Sequence, residues 1–401
     1  MRTPEANRSD ARLRILYLDY TNNIGLGGGQ QSLALLLRNL DRSRFDPLVA
    51  CPREERLRQI ITDPTIPILS LDLGEKFRSL SRHEAGLWSL SSAVADSWEA
   101  AERLSRLLDR YPVDIIHANN LKMLWLALKA GHRRGIPVLW HVREIHPATI
   151  LHNVLYRLAS YGASRVIAVS QAVADQFPGR SNVIVLYNAV ELPDLEHSLQ
   201  LGNQFRIQHG IPAEATVIGY AGRLDRDKGL DSLLAAFQQA ALAREGVQLL
   251  IAGDGPDRER LKGIITGAWL DQAVHLIPHQ ADMAPVWSAM DLCVQPSSGP
   301  DAFPRSVIEA MSYGKPVLGS TVGGIREAIE VGVTGHCFAP GGVNSLAGLL
   351  AALARNKETR LSMGDRGRAR CEALFSARRQ AGLLKDIYEE FRNTTPRAKA
   401  A

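Results

Sequence analysis

Two cations in the second half of the chain have the residue types and the spacing to bind a diphosphate. Arg223 and Lys228 lie in the string YAGRLDRDKGLDSLLAAF, after an apolar run that predicts a buried strand and just before a predicted helix. A guanidinium can bind two phosphate oxygens, an ammonium adds a compact charge, and backbone N–H groups at the start of a helix attract anions. The alternative is a solvated charged loop in which Asp225 and Asp227 pair with the cations beside them. Those cations, Arg226 and Lys228, would compete with a metal ion for the aspartates, so no metal site is expected here.

Two carboxylates follow in the stretch DLCVQPSSGPDAFPRSVIEAMSYGKPVLGSTVGGIRE, which predicts two neighbouring strand–loop–helix units. Each unit presents the start of a helix at the carboxyl end of its strand, where open parallel sheets bind ligands. Glu309, eight residues after Asp301, can accept hydrogen bonds from two ribose hydroxyls. Its alternative is an ion pair with Arg305, worth roughly 0.3 kcal/mol. Asp301 can hold sugar hydroxyls or cap the turn before the helix.

Glycine-containing turns follow three of the predicted strands. They contain Gly28 and Gly29 in TNNIGLGGGQQS, Gly222 in YAGR, and Gly253, Asp254 and Gly255 in AGDGP. Without a Cβ atom, glycine lets the backbone approach a phosphate, a sugar or a planar base closely. Each turn by itself is explained equally well or better as a plain structural turn. The first string also lacks the downstream acidic residue of a dinucleotide-binding fingerprint.

The first half of the chain offers one candidate histidine. His141 follows an apolar run in the string WHVREIHP, and it can hydrogen-bond a sugar hydroxyl if it faces a cleft. A structural role is the alternative. Arg143 and Glu144 beside it, and Asn188 in YNAVEL, are the other candidates for contacts near a sugar or an acceptor. The remaining histidines of this region have no metal-ligand spacing with His141.

Two successive series of alternating strands and helices must position these residues. Apolar runs predict strands at 13–18, 47–50, 66–71, 114–118, 136–142, 164–169 and 183–186, and then at 217–220, 248–252, 274–277, 292–294 and 316–319. This alternation predicts an α/β fold with two doubly wound, Rossmann-like domains facing each other across a cleft. The polar segment 191–202 is interpreted as the linker between domains at 13–195 and 203–375. A last helix is predicted at 376–393, and a disordered tail at 1–12.

Composition narrows the class of protein. A chain of 401 residues exceeds what one hydrophobic core usually supports, which favours two domains. The formal net charge of +5 favours anionic substrates or an anionic membrane surface, but the arginines are too scattered for a nucleic-acid-binding protein. The four cysteines form no CxxC pair and are interpreted as reduced thiols of a cytosolic protein. The first residues do not resemble a secretory signal, and no apolar run is long enough to span a bilayer.

Taken together and in this order, five motifs resemble those of the retaining nucleotide-sugar glycosyltransferases of family four. The motifs are G-R-x4-K-G, G-D-G-P, (D/E)-x7-E, A-M-x-x-G-x-P-V and G-G-x-x-E. The resemblance is strong over the second domain and weak over the first, where it rests on the GGG turn, His141 and the string VIAVSQAV. It implies the GT-B fold and transfer of a sugar from a nucleotide-diphosphate donor with retention of the anomeric configuration. It also implies that no metal or other cofactor takes part.

The resemblance also implies roles for particular residues. In the second domain, Arg223 and Lys228 would contact the donor diphosphate, Glu309 would bind the ribose, and Asp301 would hold the donor sugar. In the first domain, His141 would lie near the reacting centre, and this domain would bind the acceptor. The closing helix would cross back onto the first domain.

Three departures from the family pattern concern the donor sugar. The family usually has Glu where this chain has Asp301, and commonly Gly where it has Ala302. Pro304 removes a backbone N–H group beside Ala302 and Phe303, whose backbone would contact the sugar. Asn188 matches the family's N-G-V-D string, but the residue after it is not glycine.

Other functions and several acceptors are compatible with the sequence. The alternatives are a nucleotide-sugar epimerase or a phosphorylase of the same fold, and a non-catalytic nucleotide-sugar-binding subunit. The acceptor is expected to be a glycan or a lipid-linked molecule, in cell-surface polysaccharide or glycolipid synthesis. The protein is expected in the cytoplasm. The basic balance and a predicted helix with Trp88 and Trp98 permit peripheral contact with the inner membrane face, and they equally permit a soluble acceptor.

Overall fold

The computed structural model describes residues 11–20, 27–54, 56–79, 87–146 and 149–392. The chain divides into two compact units: unit 1 contains residues 1–187 and 377–401, and unit 2 contains residues 188–376. Residues 1–10 of the predicted tail lie outside the described part of the chain. So do residues 21–26 of the predicted glycine turn and residues 84–86 of the predicted long helix.

In its described part, unit 1 contains a sheet of seven parallel strands. They are β1 (Leu13–Leu18), β2 (Phe45–Cys51), β3 (Ile68–Ser70), β4 (Ile115–Ala118), β5 (Val138–Val142), β6 (Arg165–Ala168) and β7 (Val183–Val185). Their order is β3-β2-β1-β4-β5-β6-β7, so the direction in which strands are added reverses between β1 and β4. Helices cover both faces of such a sheet, which is why the central strands are largely apolar runs.

Helices connect the strands of unit 1, because parallel strands need a crossover between them. They are α1 (Gly28–Asn39), α2 (Leu57–Ile60), α3 (Glu75–Ser79), α4 (Leu87–Arg110), α5 (Leu121–His132), α6 (Ile150–Gly162) and α7 (Gln171–Ala174). Three of them begin after a capping side chain: Asn120, Thr149 and Ser170 each accept a hydrogen bond from a backbone N–H of the first turn.

Unit 2 repeats the same architecture with six parallel strands in its sheet. They are β8 (Val217–Ala221), β9 (Gln248–Ala252), β10 (Val274–Ile277), β11 (Leu292–Gln295), β12 (Val317–Ser320) and β13 (Gly335–Phe338), in the order β10-β9-β8-β11-β12-β13. The helices are α8 (Leu195–Gln208), α9 (Leu230–Gln239), α10 (Arg258–Gly267), α11 (Ala284–Ala289), α12 (Arg305–Ser312), α13 (Ile325–Ala328), α14 (Val343–Arg355) and α15 (Lys357–Arg370). Here the strand order reverses between β8 and β11.

The last helix, α16 (Ala377–Glu389), belongs to unit 1. Its residues Leu384, Ile387 and Tyr388 are buried in the core that α1 and the sheet of unit 1 form. A returning helix therefore completes the core of a unit whose other elements come from the first half of the chain. No helix among the described residues is long and apolar enough to cross a membrane.

The structure confirms the predicted doubly wound α/β fold and corrects three local interpretations. The segment 191–202 is not a linker, because most of it forms α8. Asp194 caps that helix, and its buried residues Gly202 and Phe205 lie on the side that contacts α11. The sequence interpretation also missed α6 and β13. Helix α8 was not predicted because its apolar residues form no clear helical stripe. Its buried residues are Ser198, Gly202 and Phe205.

Replacing Gly202 by Ala tests whether α8 is an integral part of unit 2. A Cβ atom at Gly202 would lie 2.6 Å from the carbonyl carbon of Ser288 in the helix it packs against. We expect Gly202→Ala to lower the free energy of unfolding by about 1–3 kcal/mol in urea titrations. Gly263→Ala in α10 is the control, because no atom lies within 4 Å of its added Cβ. The control should gain about 0.5–1 kcal/mol, and equal behaviour of the two variants would contradict the packing of α8.

Candidate active site

The predicted donor residues gather where the strand order of unit 2 reverses. Gly222 and Arg223 directly follow β8, and the loop 296–304 follows β11, which is hydrogen-bonded to β8. The turn with Gly253 follows β9, the other neighbour of β8. Loops at this edge of a doubly wound sheet leave a crevice in which ligands bind. The residues that the sequence separated by up to 80 positions are therefore neighbours in the structure.

Two glycines allow these loops to approach one another. Gly253 has φ +152°, and a Cβ atom there would lie 1.9 Å from the carbonyl oxygen of Gly222. Gly229 has φ +68°, and its Cβ atom would lie 1.9 Å from the carbonyl oxygen of Pro296. No other residue fits these positions without moving the backbone. Here the plain structural explanation of the glycine turns is supported, because the glycines hold the loops together.

Lys228 and Asp301 form an ion pair that joins the loops after β8 and β11. The Lys228 Nζ atom lies 2.7 Å from Asp301 Oδ2, and the two side chains are 25% and 9% exposed. The same carboxylate oxygen accepts a hydrogen bond from Ser297 Oγ at 3.2 Å. An ammonium carries three N–H donors, so Lys228 can bind Asp301 and a ligand oxygen together. The alternative pairing of Lys228 with Asp227 is wrong, because Lys228 pairs with Asp301 instead.

Arg223 is held differently, in an exposed ion pair. One guanidinium nitrogen lies 2.5 Å from Asp225 Oδ2, and the Arg223 side chain is 64% exposed. Exposed ion pairs of this kind are worth about 0.2–1 kcal/mol, so the guanidinium can turn to a phosphate at little cost. The backbone below it is fixed, because Tyr220 Oη donates a 2.7 Å hydrogen bond to the Arg223 carbonyl. The remaining cation of the loop, Arg226, lies 3.5 Å from Asp257. The alternative pairing of Asp225 with Arg226 is therefore also wrong.

Glu309 forms the ion pair that the sequence offered as its alternative role. Both Nη2 and Nε of Arg305 contact Glu309 Oε1, at 2.8 and 3.1 Å. Arg305 also donates from Nη1 to the carbonyl of Ala189 at 3.0 Å. The Glu309 side chain stays 22% exposed at the first turns of α12. Arg305 thus orients the carboxylate, while the ribose contact itself remains a prediction.

The loop 301–303 is fixed by hydrogen bonds from two sides. Asn188 Nδ2 donates to the carbonyl of Phe303 at 2.9 Å, and the N–H of Gly324 donates to the carbonyl of Asp301 at 3.0 Å. The structure thus places Asn188, which opens unit 2, beside the predicted donor-sugar loop. The carboxylate of Asp254 stabilises its own turn: it accepts from the N–H of His279 at 2.9 Å and contacts Arg258.

In unit 1, the candidate residues adjoin a buried polar network at the reversal between β1 and β4. His141 does not follow β5 but lies within it, and it is fully buried. Arg143 Nη2 donates to His141 Nδ1 at 3.3 Å, and Arg143 Nε donates to Asn119 at 2.9 Å. Asn119 in turn donates to Asp19 at 2.8 Å. His141 therefore does not face open solvent, and the strand continues to Val142 because its other side chains are apolar.

Arg143 determines the hydrogen-bonding direction through the network. A guanidinium can only donate, so His141 Nδ1 accepts and the ring carries its proton on Nε2. His117 Nε2, which lies 3.2 Å from His141 Nδ1, must then donate. His117 Nδ1 consequently accepts from the hydroxyl of Tyr388 on α16, at 2.7 Å. Tyr17 completes the chain by donating to Tyr388 at 2.9 Å. His141 thus presents a buried Nε2–H group for which no described residue is an acceptor.

Both histidines of this network are neutral. Burial lowers the pKa of His117 to about 3, with a smaller contribution from the positive charge of Arg143. Burial and then Arg143 also lower the pKa of His141 well below its usual value. An imidazole without charge can donate a hydrogen bond at physiological pH but does not supply a positive charge.

Sequence reasoning missed most of this network. It did not single out Asp19, His117 and Asn119, or the tyrosines Tyr17 and Tyr388. The first three could have been found from the sequence, because, like His141, they are polar residues at the carboxyl ends of predicted buried strands, where such sheets bind ligands. Glu144 accepts from the Tyr156 hydroxyl at 2.6 Å. Gly28 and Gly29 are the first residues of α1, and a Cβ atom at Gly29 would lie 3.3 Å from Arg143.

Comparison with known proteins identifies the fold family. A family model described as "Glycosyl transferases group 1" matches residues 203–370, and one described as "Glycosyltransferase Family 4" matches residues 26–193. The crystal structure of HepE from Anabaena in complex with UDP superposes with a TM-score of 0.78 at 23% identity, covering 94% of this chain and 100% of that one. The family models and the fold thus define a nucleotide-sugar glycosyltransferase with the GT-B fold.

Sequence relatives support the same assignment. A D-inositol 3-phosphate glycosyltransferase of Saccharomonospora viridis is 30% identical over 319 residues, covering 69% of this chain and 70% of that protein. An exopolysaccharide phosphotransferase of Streptomyces coelicolor is 33% identical over 145 residues, which is 36% of this chain and only 15% of that protein. The chain belongs to glycosyltransferase family 4. The resemblance inferred from the motifs is confirmed, and the epimerase, phosphorylase and non-catalytic alternatives are not favoured.

The buried histidines predict a loss of stability in mild acid. In the folded protein the pKa values of these histidines lie below the value of about 6.5 for a histidine in the unfolded chain. In mild acid the unfolded chain therefore binds more protons than the folded chain does. Stability is therefore fully present above pH 6.5 and falls as the pH is lowered. We expect each such histidine to contribute about 1.4 kcal/mol per pH unit to the slope of unfolding free energy between pH 6.5 and 5.

His117→Gln should reduce that slope by about one histidine's share, since glutamine does not titrate. The slope is measured by urea unfolding at four or five pH values. His197→Gln, which removes an exposed imidazole from α8, is the control and should keep the wild-type slope. An unchanged slope in His117→Gln would show that His117 is not held neutral.

Proposed function

We propose that this chain transfers a sugar from a nucleotide-diphosphate sugar to a glycan or lipid-linked acceptor, with retention of the anomeric configuration. The observation that carries the proposal is the position of Arg223 and Lys228 in the loop at the carboxyl end of β8, where the strand order of unit 2 reverses. One cation is exposed and weakly paired, and the other is linked to Asp301. The UDP in the related HepE structure supports a nucleoside diphosphate as the group that these cations bind.

In the proposed reaction, the bond between the anomeric carbon and the diphosphate oxygen breaks while the acceptor hydroxyl oxygen attacks from the same face. The acceptor proton passes to the departing phosphate. Arg223, Lys228 and the backbone amides at the starts of α9 and α12 stabilise the charge on that phosphate. Glu309 binds the ribose, and Asp301 with the backbone of Ala302 and Phe303 holds the donor sugar.

We propose that the reaction needs neither a metal nor another cofactor. The described residues contain no group of three or more His, Cys, Asp or Glu side chains that could hold a metal ion. Two cations beside the diphosphate supply the charge that a metal would supply. A covalent enzyme intermediate at Cys293, the cysteine of β11, is disfavoured, because burial raises the pKa of its thiol to about 12.

We assign acceptor binding to unit 1. His141 offers a buried Nε2–H donor, and Arg143 and Glu144 follow it at the carboxyl end of β5. These groups suit hydroxyl-rich acceptors. We further propose that the protein works in cell-surface polysaccharide or glycolipid synthesis, in the cytoplasm and in peripheral contact with the inner face of the membrane.

Removing the proposed diphosphate contacts should strongly lower the rate of transfer without unfolding the protein. We expect Arg223→Ala to lower kcat/KM by roughly tenfold to hundredfold, because a hydrogen bond to a charged group contributes about 1.5–3 kcal/mol. Lys228→Ala should have a similar or larger effect on transfer. Activity is measured as UDP release with a panel of UDP-sugars, and binding as the rise in melting temperature that UDP causes.

Two controls separate chemistry from folding. Lys262→Ala removes an exposed cation from α10 and should leave transfer unchanged. Lys228→Ala leaves the buried Asp301 without its partner, so the double variant Lys228→Ala/Asp301→Asn restores neutrality and shows how much of any melting-temperature loss is electrostatic. Full activity in both Arg223→Ala and Lys228→Ala would refute the diphosphate assignment. UDP binding without transfer or donor hydrolysis would favour a non-catalytic subunit.

A further inference from the structure

Three neighbouring helices of unit 1 expose large apolar side chains to solvent. In the described part of unit 1, seven large apolar side chains are exposed, and six of them lie on α4, α5 and α6. Helix α5 contacts α4 on one side and α6 on the other. The six residues are Trp98, Trp125, Ile150, Val154, Leu158 and Tyr161. They are therefore concentrated on one group of helices, whereas singly scattered apolar residues would need no explanation.

Helix α6 carries most of these residues as a continuous stripe. Ile150, Val154, Leu158 and Tyr161 follow one another at intervals of four, four and three residues, which places them on one face of the helix. They are 84%, 49%, 57% and 59% exposed. The opposite face, with Tyr156 and Ala159, is buried. A surface helix normally turns polar residues to water, so the exposed face of α6 is apolar where a polar face is expected.

The surroundings of the stripe are basic. Residues 121–182 contain eight Lys and Arg residues but only two Asp and Glu residues, and α6 itself contains no acidic residue. Arg157 is exposed within the stripe, and the Arg180 guanidinium lies 3.8 Å from the centre of the Tyr161 ring. On the neighbouring helices, Lys129 Nζ lies 3.0 Å from the centre of the Trp98 ring and also pairs with Glu102 of α4 at 3.4 Å. Cations thus accompany the exposed rings at both ends of this surface.

We propose that this surface of α4, α5 and α6 binds to anionic phospholipid bilayers. An apolar helical stripe flanked by arginines sinks to the boundary between headgroups and acyl chains, and the cations bind the anionic headgroups. Aromatic rings such as Trp98, Trp125 and Tyr161 favour that boundary. The stripe lies parallel to the bilayer surface, and no segment needs to cross it.

Charge complementarity favours a lipid surface over a second copy of this chain. A two-fold contact through α6 would bring the surface that carries Arg157 and Arg180 against the same basic surface of the other copy. Helix α6 offers no carboxylate to neutralise them, whereas an anionic bilayer does. The inference gives the proposed membrane contact a defined location and stands on unit 1 alone. It differs from the sequence expectation, in which the helix with Trp88 and Trp98 was the only membrane candidate; the side chain of Trp88 lies outside the described residues.

Vesicle sedimentation tests the proposal with the full chain. The wild-type protein should bind vesicles of phosphatidylglycerol and phosphatidylcholine, bind pure phosphatidylcholine at least about tenfold more weakly, and lose affinity as salt is raised. The double variant Ile150→Glu/Leu158→Glu should lower binding to the anionic vesicles by about tenfold or more. The matched control is Ile207→Glu/Leu361→Glu on α8 and α15, whose replaced side chains are 78% and 57% exposed. It should bind as the wild type does.

Several results would overturn the proposal. They are failure of the wild type to bind anionic vesicles, equal losses in the two double variants, and equal binding to neutral and anionic vesicles. A wild-type dimer in analytical ultracentrifugation that Ile150→Glu/Leu158→Glu dissociates would assign the surface to a second copy instead. UDP binding, measured by thermal shift, reports on unit 2 and should be unchanged in every variant. The proposed sugar transfer is therefore tested independently of lipid binding.

Discussion

The ion pair between Lys228 and Asp301 links the two loops on which the candidate donor site of unit 2 depends. One partner follows β8 and the other follows β11, the two strands between which the order of the sheet reverses. The pair is largely buried, so removing either partner leaves a charge without compensation, which is costly in a protein interior. Close contacts at Gly229 and Gly253 hold the same loops together through the backbone. The ion pair and the close glycine contacts thus hold the same two loops. Arg223 in the loop after β8 is exposed, so its side chain can still move.

Unit 1 uses the corresponding edge of its sheet in a different way. Its network of Asp19, Asn119, Arg143, His141 and His117 is buried, and α16 closes it with Tyr388. Because Arg143 only donates, one direction of hydrogen bonding runs through the whole chain, and both imidazoles are neutral. Arg143 thereby determines which nitrogen of His141 carries the proton, and Tyr388 closes the network by donating to His117. The edge of unit 2 thus exposes a cation, whereas the edge of unit 1 holds a buried, neutral imidazole beside the Arg143 guanidinium.

The membrane proposal rests on a third feature, which neither sheet edge explains. Helix α6 buries Tyr156 and Ala159 and leaves Ile150, Val154, Leu158 and Tyr161 to solvent, so its apolar surface exceeds what the fold itself needs. The excess of basic residues between 121 and 182 accounts for the net positive charge of the whole chain. Part of this excess lies elsewhere, because Arg143 belongs to the network at the sheet edge and Arg165 pairs with Glu390, whereas Arg180 lies against the ring of Tyr161 in the stripe.

The sequence by itself determined the doubly wound architecture and the identity of most donor-site candidates. Buried parallel strands are largely apolar runs, and β9 and β10 were predicted at their observed ends although β9 begins with Gln248 and β10 contains His275. Fixed motif spacing singled out Arg223, Lys228 and Glu309. The tertiary structure decided which residues these side chains contact. Lys228 forms an ion pair with Asp301, 73 positions away, rather than with its neighbour, and Asn188 donates a hydrogen bond to the carbonyl of Phe303. It also decided that 191–202 is largely helical and that the His141 side chain is buried. Such outcomes depend on which loops the sheet brings together and which helix faces it leaves uncovered, and neither is encoded in the spacing of residues along the chain.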